Sequence, residues 1–149
     1  MKTVPAVHRF LFVLLAAVLV VLAVPASVFA SEEPAMKPVQ VFDVKAGKVV
    51  RTIPNDAEYQ KIAQGWLKSV TGLSPAMKPD EKCGFVYRIP LLKPQPLAVG
   101  KLSFTVRDVF LFHCPDANPL LLVFDEARRP YLLDLTTDLK PFLRKIAAP

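Results

Sequence analysis

The sequence is short of the residues that most often carry chemistry. Among its 149 residues are 2 histidines, 2 cysteines, 1 tryptophan and 5 glycines. His8 falls in the extreme N-terminus, so His113 is the one histidine in the body of the chain. A Ser–His–acid hydrolase needs a histidine to relay its proton, and a cysteine nucleophile needs one beside it. Any such arrangement must therefore pass through His113. No G-x-S-x-G elbow, H-E-x-x-H pair or phosphate-cradling glycine loop occurs. Basic residues are scattered and never interleave with aromatics in a run, which removes the usual footprint of a nucleic-acid binder.

What the sequence does have is an apolar N-terminus. Lys2, His8 and Arg9 precede an unbroken run from Phe10 to Val24, followed by Pro25 and then Val28-Phe29-Ala30 before Ser31. A basic head, an apolar segment and a small residue before the cut are the marks of a secretory signal peptide. Residues 1–30 are expected to be that signal, cleaved after Ala30. The alternative is a single-pass anchor made of residues 10–30, about long enough to span a ~30 Å hydrocarbon core. No cysteine lies near the cut, so a lipid-modified N-terminus is excluded. Residues 31–38, with two prolines, form a polar tether, and residues 39–149 are expected to form one domain. Without Lys2 and Arg9, 17 of the 19 basic residues remain against 13 acidic ones, a net charge of +4. Outside a cell that charge favours contact with anionic envelope polymers, but only as a non-specific pull.

Within the domain, the stretch VQVFDVKAGKVVRTIP alternates around Gly47 and predicts a β-hairpin over residues 39–54. Asn55 is placed as an N-cap, with Glu58 as its capping-box partner. Tyr59, Ile62, Ala63, Trp66, Leu67 and Val70 then recur at helical spacing as one apolar stripe, while Gln60, Lys61, Gln64 and Lys68 cover the other side. Gly72 stands where a C′ glycine would end the helix. Trp66 reads as core. Gly65 weakens the helix and suggests a close approach at that point.

Residues 74–82 read as loop. GFVYRIP is a strand with Phe85, Tyr87 and Ile89 on one face, whereas Pro94 and Pro96 argue against a central strand over residues 91–100. In residues 101–114, Leu102, Phe104, Val106, Phe110, Phe112 and Cys114 share a face, with a bulge or a break between strands at Arg107-Asp108. LLLVF, residues 120–124, is apolar on both faces and reads as an interior strand. Residues 131–135 form another strand, and Asp138 caps a short helix from Leu139 to Ile146. The expected fold is α+β: an antiparallel sheet of about four to six strands against one main amphipathic helix, with a short C-terminal helix.

The stretches VFDVKAGKVV, GWLKSVTGL and LLLVFDEARRPYLL resemble those of small exported proteins of unknown function from spore-forming Gram-positive bacteria. The order of helix and strands is also similar to that of PepSY-type modules. These resemblances imply an exported α+β module that binds or inhibits, and they carry over no site residue.

The remaining chemistry is sparse. Cys83, His113, Cys114 and Asp116 are adequate ligands for zinc or copper, but lack the close C-x-x-C or H-x-x-x-H pairing of a strong metal motif. On the strand phase, Cys114 lies with the phenylalanines, while His113 lies with Ser103, Thr105 and Arg107, on the opposite face. The simpler expectation is a disulfide between Cys83 and Cys114. Opposing them across two antiparallel strands would set Phe85 opposite Phe112 and Tyr87 opposite Phe110. Two reduced, buried cysteines are the alternative. No cofactor is expected. The functional expectation is an exported, non-catalytic binding or inhibitor-like module, engaging a protein, a peptide or an anionic envelope polymer. A passive structural component of the envelope or matrix is the second reading, and a metal-binding protein a third. A contiguous apolar patch favours binding, and a uniformly charged surface favours a passive role.

Overall fold

The structure, a computed structural model, describes residues 35–75 and 83–148. The signal segment with its cleavage point, the alternative anchor, half of the tether and most of the 74–82 loop lie outside these residues. In chain order the elements are β1 (Val39–Asp43), β2 (Lys48–Ile53), α1 (Ala57–Lys68), β3 (Val70–Leu73), β4 (Phe85–Val99), β5 (Leu102–His113), β6 (Leu120–Phe124), β7 (Pro130–Leu135) and α2 (Lys140–Ala147). The strands make one antiparallel sheet of seven, in the order β2-β1-β4-β5-β6-β7-β3. The α+β class stands, with more strands than the four to six expected.

The hairpin forms where the sequence places it. Gly47 takes φ 64°, its N–H donates to the Asp43 carbonyl at 2.9 Å, and the Asp43 carboxylate accepts from the Ala46 N–H at 2.8 Å. α1 then links β2 at one edge of the sheet to β3 at the other. Its 12 residues rise about 18 Å, enough to cross much of a sheet whose strands lie about 4.8 Å apart. The crossing helix buries Tyr59, Ala63, Trp66 and Leu67, as the stripe predicts.

Both ends of α1 differ from the sequence reading. The N-cap is Asp56, whose carboxylate accepts from the Tyr59 N–H at 2.8 Å, and not Asn55. The Asn55 amide instead donates to the Lys37 and Pro90 carbonyls, each at 2.9 Å. Glu58 turns to Lys145 at 2.7 Å rather than back to the cap. The helix stops at Lys68, and Val70 to Leu73 pair with β7, so Gly72 is a strand residue. Gly65 meets nothing among the described residues, so no close approach there explains it.

The prolines of β4 are accommodated without ending the strand. Between Pro90 and Gln95 the register with β5 shifts, so residues 91–94 loop out of the ladder and take Pro94 with them. Pro96 pairs with Thr105, but the Thr105 N–H donates to the Glu126 carboxylate at 2.8 Å and so turns away from β4. The missing proline N–H costs no ladder bond there. β1 pairs only with Phe85 to Arg88, so among the described residues the proline-bearing half of β4 has a single neighbour.

Gln60 holds this irregular stretch to the helix. The helical spacing predicts it on the polar side, yet it is 9% exposed. Its amide donates to the Asn55 side chain and to the Pro90 carbonyl, both at 2.9 Å, and accepts from the Leu92 N–H at 2.8 Å. Backbone groups freed by the shift thereby find partners in a buried site, where unpaired ones would be costly.

α2 lies on the same side of the sheet as α1. Phe142, 1% exposed, meets Trp66, Tyr87 and Tyr59 edge-on, with ring centroids 4.8, 5.0 and 6.4 Å away. Lys145 bridges Asp56 at 2.8 Å and Glu58 at 2.7 Å, and lies over the Tyr59 ring. The hydrogen bonds that Lys145 donates to the two carboxylates raise its pKa above the ordinary value. α2 starts one residue later than expected, with Leu139 at the N-cap, although Asp138 still accepts from the Lys140 N–H at 2.9 Å.

Candidate functional site

Strand pairing assigns every sheet residue to one of two faces. Val39, Val41, Tyr87, Ile89, Val109, Leu111, Leu121, Val123, Leu133 and Leu135 point toward the helices and are buried. On the other face, Gln40, Arg88, Phe110, Leu122 and Leu132 form one row across β1, β4, β5, β6 and β7. Phe42, Val86, Phe112, Leu120 and Asp134 form the next. Phe124 extends this face toward the β6–β7 turn. The apolar members are only half-buried, and no described helix lies over them. Two depressions mark this face: one of 420 Å³ around Phe42, Val49, Val86 and Phe112, the other of 610 Å³ around Arg107, Asp108, Phe124 and Arg128.

Arg88 is the one cation in these two rows. It contacts the Asp108 carboxylate through Nε at 2.9 Å and Nη2 at 2.8 Å, and donates to the Gln40 side chain at 3.1 Å. Its guanidinium also lies 5.7 Å from the centre of the Phe110 ring. At the rim, Asp125 staples the β6–β7 turn, accepting from the Arg129 N–H at 2.8 Å, from Arg129 Nε at 2.6 Å and from the Tyr131 hydroxyl at 3.2 Å. Burial alone would raise the Asp125 pKa, but the Arg129 bonds and charge outweigh it and hold the carboxyl below its ordinary value.

The sequence reading missed this face because of one residue of register. Tyr87 pairs with Leu111 and Phe85 with His113, not with Phe110 and Phe112. A slip of one residue exchanges the faces of a strand, so Phe110 and Phe112 stand on the open side, while Leu102, Phe104 and Val106 stay on the helix side. The bulge anticipated at Arg107-Asp108 makes the switch within a single strand. The available signal was the double apolarity of β5 and β6, which fits burial on both sides equally well.

The disulfide itself forms. Cys83 and Cys114 are joined, with Cα atoms 5.6 Å apart. Gly84, at φ 70°, turns the chain between Cys83 and the start of β4, and a Cβ there would lie 1.9 Å from the His113 carbonyl oxygen. Only glycine fits that turn. It allows the bridge although the strand register does not set the two cysteines opposite each other. Both sulfurs are therefore spent, and neither is a thiolate ligand or nucleophile in this state. His113 Nδ1 is buried without a hydrogen-bond partner among the described residues, and Asp116 is exposed in the turn that follows. Among the described residues no group of three or more His, Cys, Asp or Glu side chains is placed to hold a metal ion. No helix among them is long and apolar enough to cross a membrane.

Compared with family models, curated proteins and solved structures, the chain matches none. Its candidate site accordingly rests on geometry alone.

Proposed function

We propose that this chain is an exported, non-catalytic binding module that engages its partner through the open face of the sheet. The observation that carries the reading is the partly exposed apolar surface running over five adjacent strands, from Phe42 on β1 to Leu132 on β7, which no described helix covers. Contiguous apolar surface of this kind on a small domain marks an interaction site. It favours binding over a passive structural role, for which a uniformly charged surface was the expectation. The disulfide and the apolar N-terminus support an extracytoplasmic location. So does the resemblance of its sequence stretches to small exported proteins.

The test is position-specific photocross-linking in the exporting cell. A photoreactive residue at Phe110, on the open face, should give a discrete adduct, whereas one at Lys61, exposed on α1, should not. Equal yields from the two positions, or none from Phe110, would overturn the reading.

A further inference from the structure

We infer that the open face binds an acidic peptide segment, with a carboxylate between Arg107 and Arg128 and an apolar side chain in the depression around Phe42. The inference rests on the binding reading above and names the partner's chemistry.

Two irregular backbone features bring these arginines to the face. Val106 and Val109 are each 0% exposed on the helix side, so the bulge turns two successive residues, Arg107 and Asp108, to the open side. Arg128 sits at φ 61°, the one positive-φ residue other than glycine among the described residues. It ends the β6–β7 turn, where its N–H donates to the Asp125 carbonyl at 3.0 Å and the Asp125 N–H donates to the Arg129 carbonyl at 3.2 Å. A hairpin loop of this form favours glycine at that position. Arginine therefore stands there at a cost to the fold, and strained residues of this kind gather at ligand sites. Its side chain lines the 610 Å³ depression together with Arg107.

Each carboxylate of that depression is already held. Asp108 is bound by Arg88, Asp125 by Arg129, and Glu126 by the Thr105 N–H. Arg107 and Arg128, by contrast, form no ion pair among the described residues. With Arg129 counted beside its partner Asp125, four guanidiniums meet three carboxylates, an excess of one positive charge. A single carboxylate balances that excess. A phosphate polymer would instead press several charges against Asp108, Asp125 and Glu126. Phe110 and Phe124, with ring centroids 5.7 Å apart, supply apolar surface beside the arginines.

The occupant reaches beyond this end of the face. The 420 Å³ depression shares Arg88 and Phe110 with the larger one, so the two are continuous. Phe42 lies three strands from Phe124, and Arg107 five residues along β5 from Phe112. Strand and residue spacings then set the charged and apolar ends roughly 15–20 Å apart. An extended peptide spans that distance in about five or six residues. A peptide suits open depressions because its backbone stays hydrated, whereas an acyl chain calls for a cavity that encloses most of its surface.

Panning a displayed library of random peptides on the full chain, recovered from the compartment it enters, is the deciding experiment. Enriched peptides should carry Asp or Glu about five or six residues from an aromatic or branched apolar residue. A synthetic peptide of the enriched sequence should bind about tenfold more weakly to the double variant Arg107→Gln/Arg128→Gly. Changing its acid to the amide should cost the same factor, and the amide peptide should lose nothing further in the variant. Glycine takes the Arg128 φ freely, so this loss should come without a lower denaturation midpoint. Should the glycine variant fail to fold, Arg107→Gln alone decides, with a loss of about threefold. Enrichment without an acid, no enrichment, or an affinity that the arginine variants leave unchanged would each overturn the inference. A Phe110 photocross-link to lipid, to a phosphate polymer or to a second copy of this chain would also overturn it, while leaving the binding reading intact. Absence of any adduct at Phe110 defeats both.

Discussion

The two faces of the sheet are built from similar side chains and have opposite fates. On the helix side, valine, leucine and isoleucine from five strands are sealed under Trp66, Tyr59 and Phe142. On the other side, four phenylalanines with leucine and valine remain half-exposed. What separates them is where the chain sends its helices. α1 crosses from the β2 edge to the β3 edge and α2 returns over the same side, so both crossings cover one face only. Apolar composition therefore does not identify a core. A face becomes core only when some element of the chain is long enough, and connected in the right place, to lie on it.

Substitutions measure that difference. Trp66→Ala, on the covered side, should cost about 3–5 kcal/mol in denaturant unfolding, since the indole is 2% exposed and sits 4.8 Å from Phe142. Phe110→Ala should cost less, about 1–2 kcal/mol in dilute protein, because the ring keeps part of its surface in water. Equal costs would erase the distinction between the faces. The disulfide lies at the end of β4 and β5, where both faces begin. Replacing Cys83 and Cys114 with alanine should lower stability by about 3–4 kcal/mol on the chain-entropy account, measured as a fall in denaturation midpoint with a steeper slope, because the unlinked unfolded chain is less compact.

Polar groups under the helix should matter almost as much. Gln60→Leu leaves the Pro90 carbonyl with Asn55 alone and the Leu92 N–H unpaired. The expected cost is about 2–3 kcal/mol, with faster amide exchange at Leu92. The smallest effect has the opposite sign. Gly65 lies in α1 with nothing within 4 Å of the place a Cβ would take, so Gly65→Ala should stabilise the protein by about 0.5–1 kcal/mol. A loss there would reveal a contact from residues outside the described ones.

Much was legible beforehand because it follows from local rules. The period of Tyr59, Ala63 and Trp66 defines a helix face, Gly47 between alternating runs defines a hairpin, and two cysteines flanking strand signals favour a bridge over two reduced thiols. The ends of α1 escape such rules because Asn55 and Asp56 are both good caps, and because Val70 to Leu73 fit the apolar stripe of a helix as well as a strand. Gln60 looks like solvent-facing polarity along the helix, since two of its three partners belong to a distant strand.

By itself, then, the sequence determined the α+β class and the covered stripe of α1, and it narrowed two further points to a pair of alternatives each: a bulge or a strand break at Arg107-Asp108, and bonded or reduced cysteines. Each is set by spacing along one segment or by a count of residues. Tertiary structure alone decided the candidate site. Whether Phe110 and Phe112 face helix or solvent depends on the register between β4 and β5, where one residue inverts every side chain. No periodicity within either strand records that choice. It is made by the Gly84 turn, the looped-out residues 91–94 and the side of the sheet that α1 and α2 occupy.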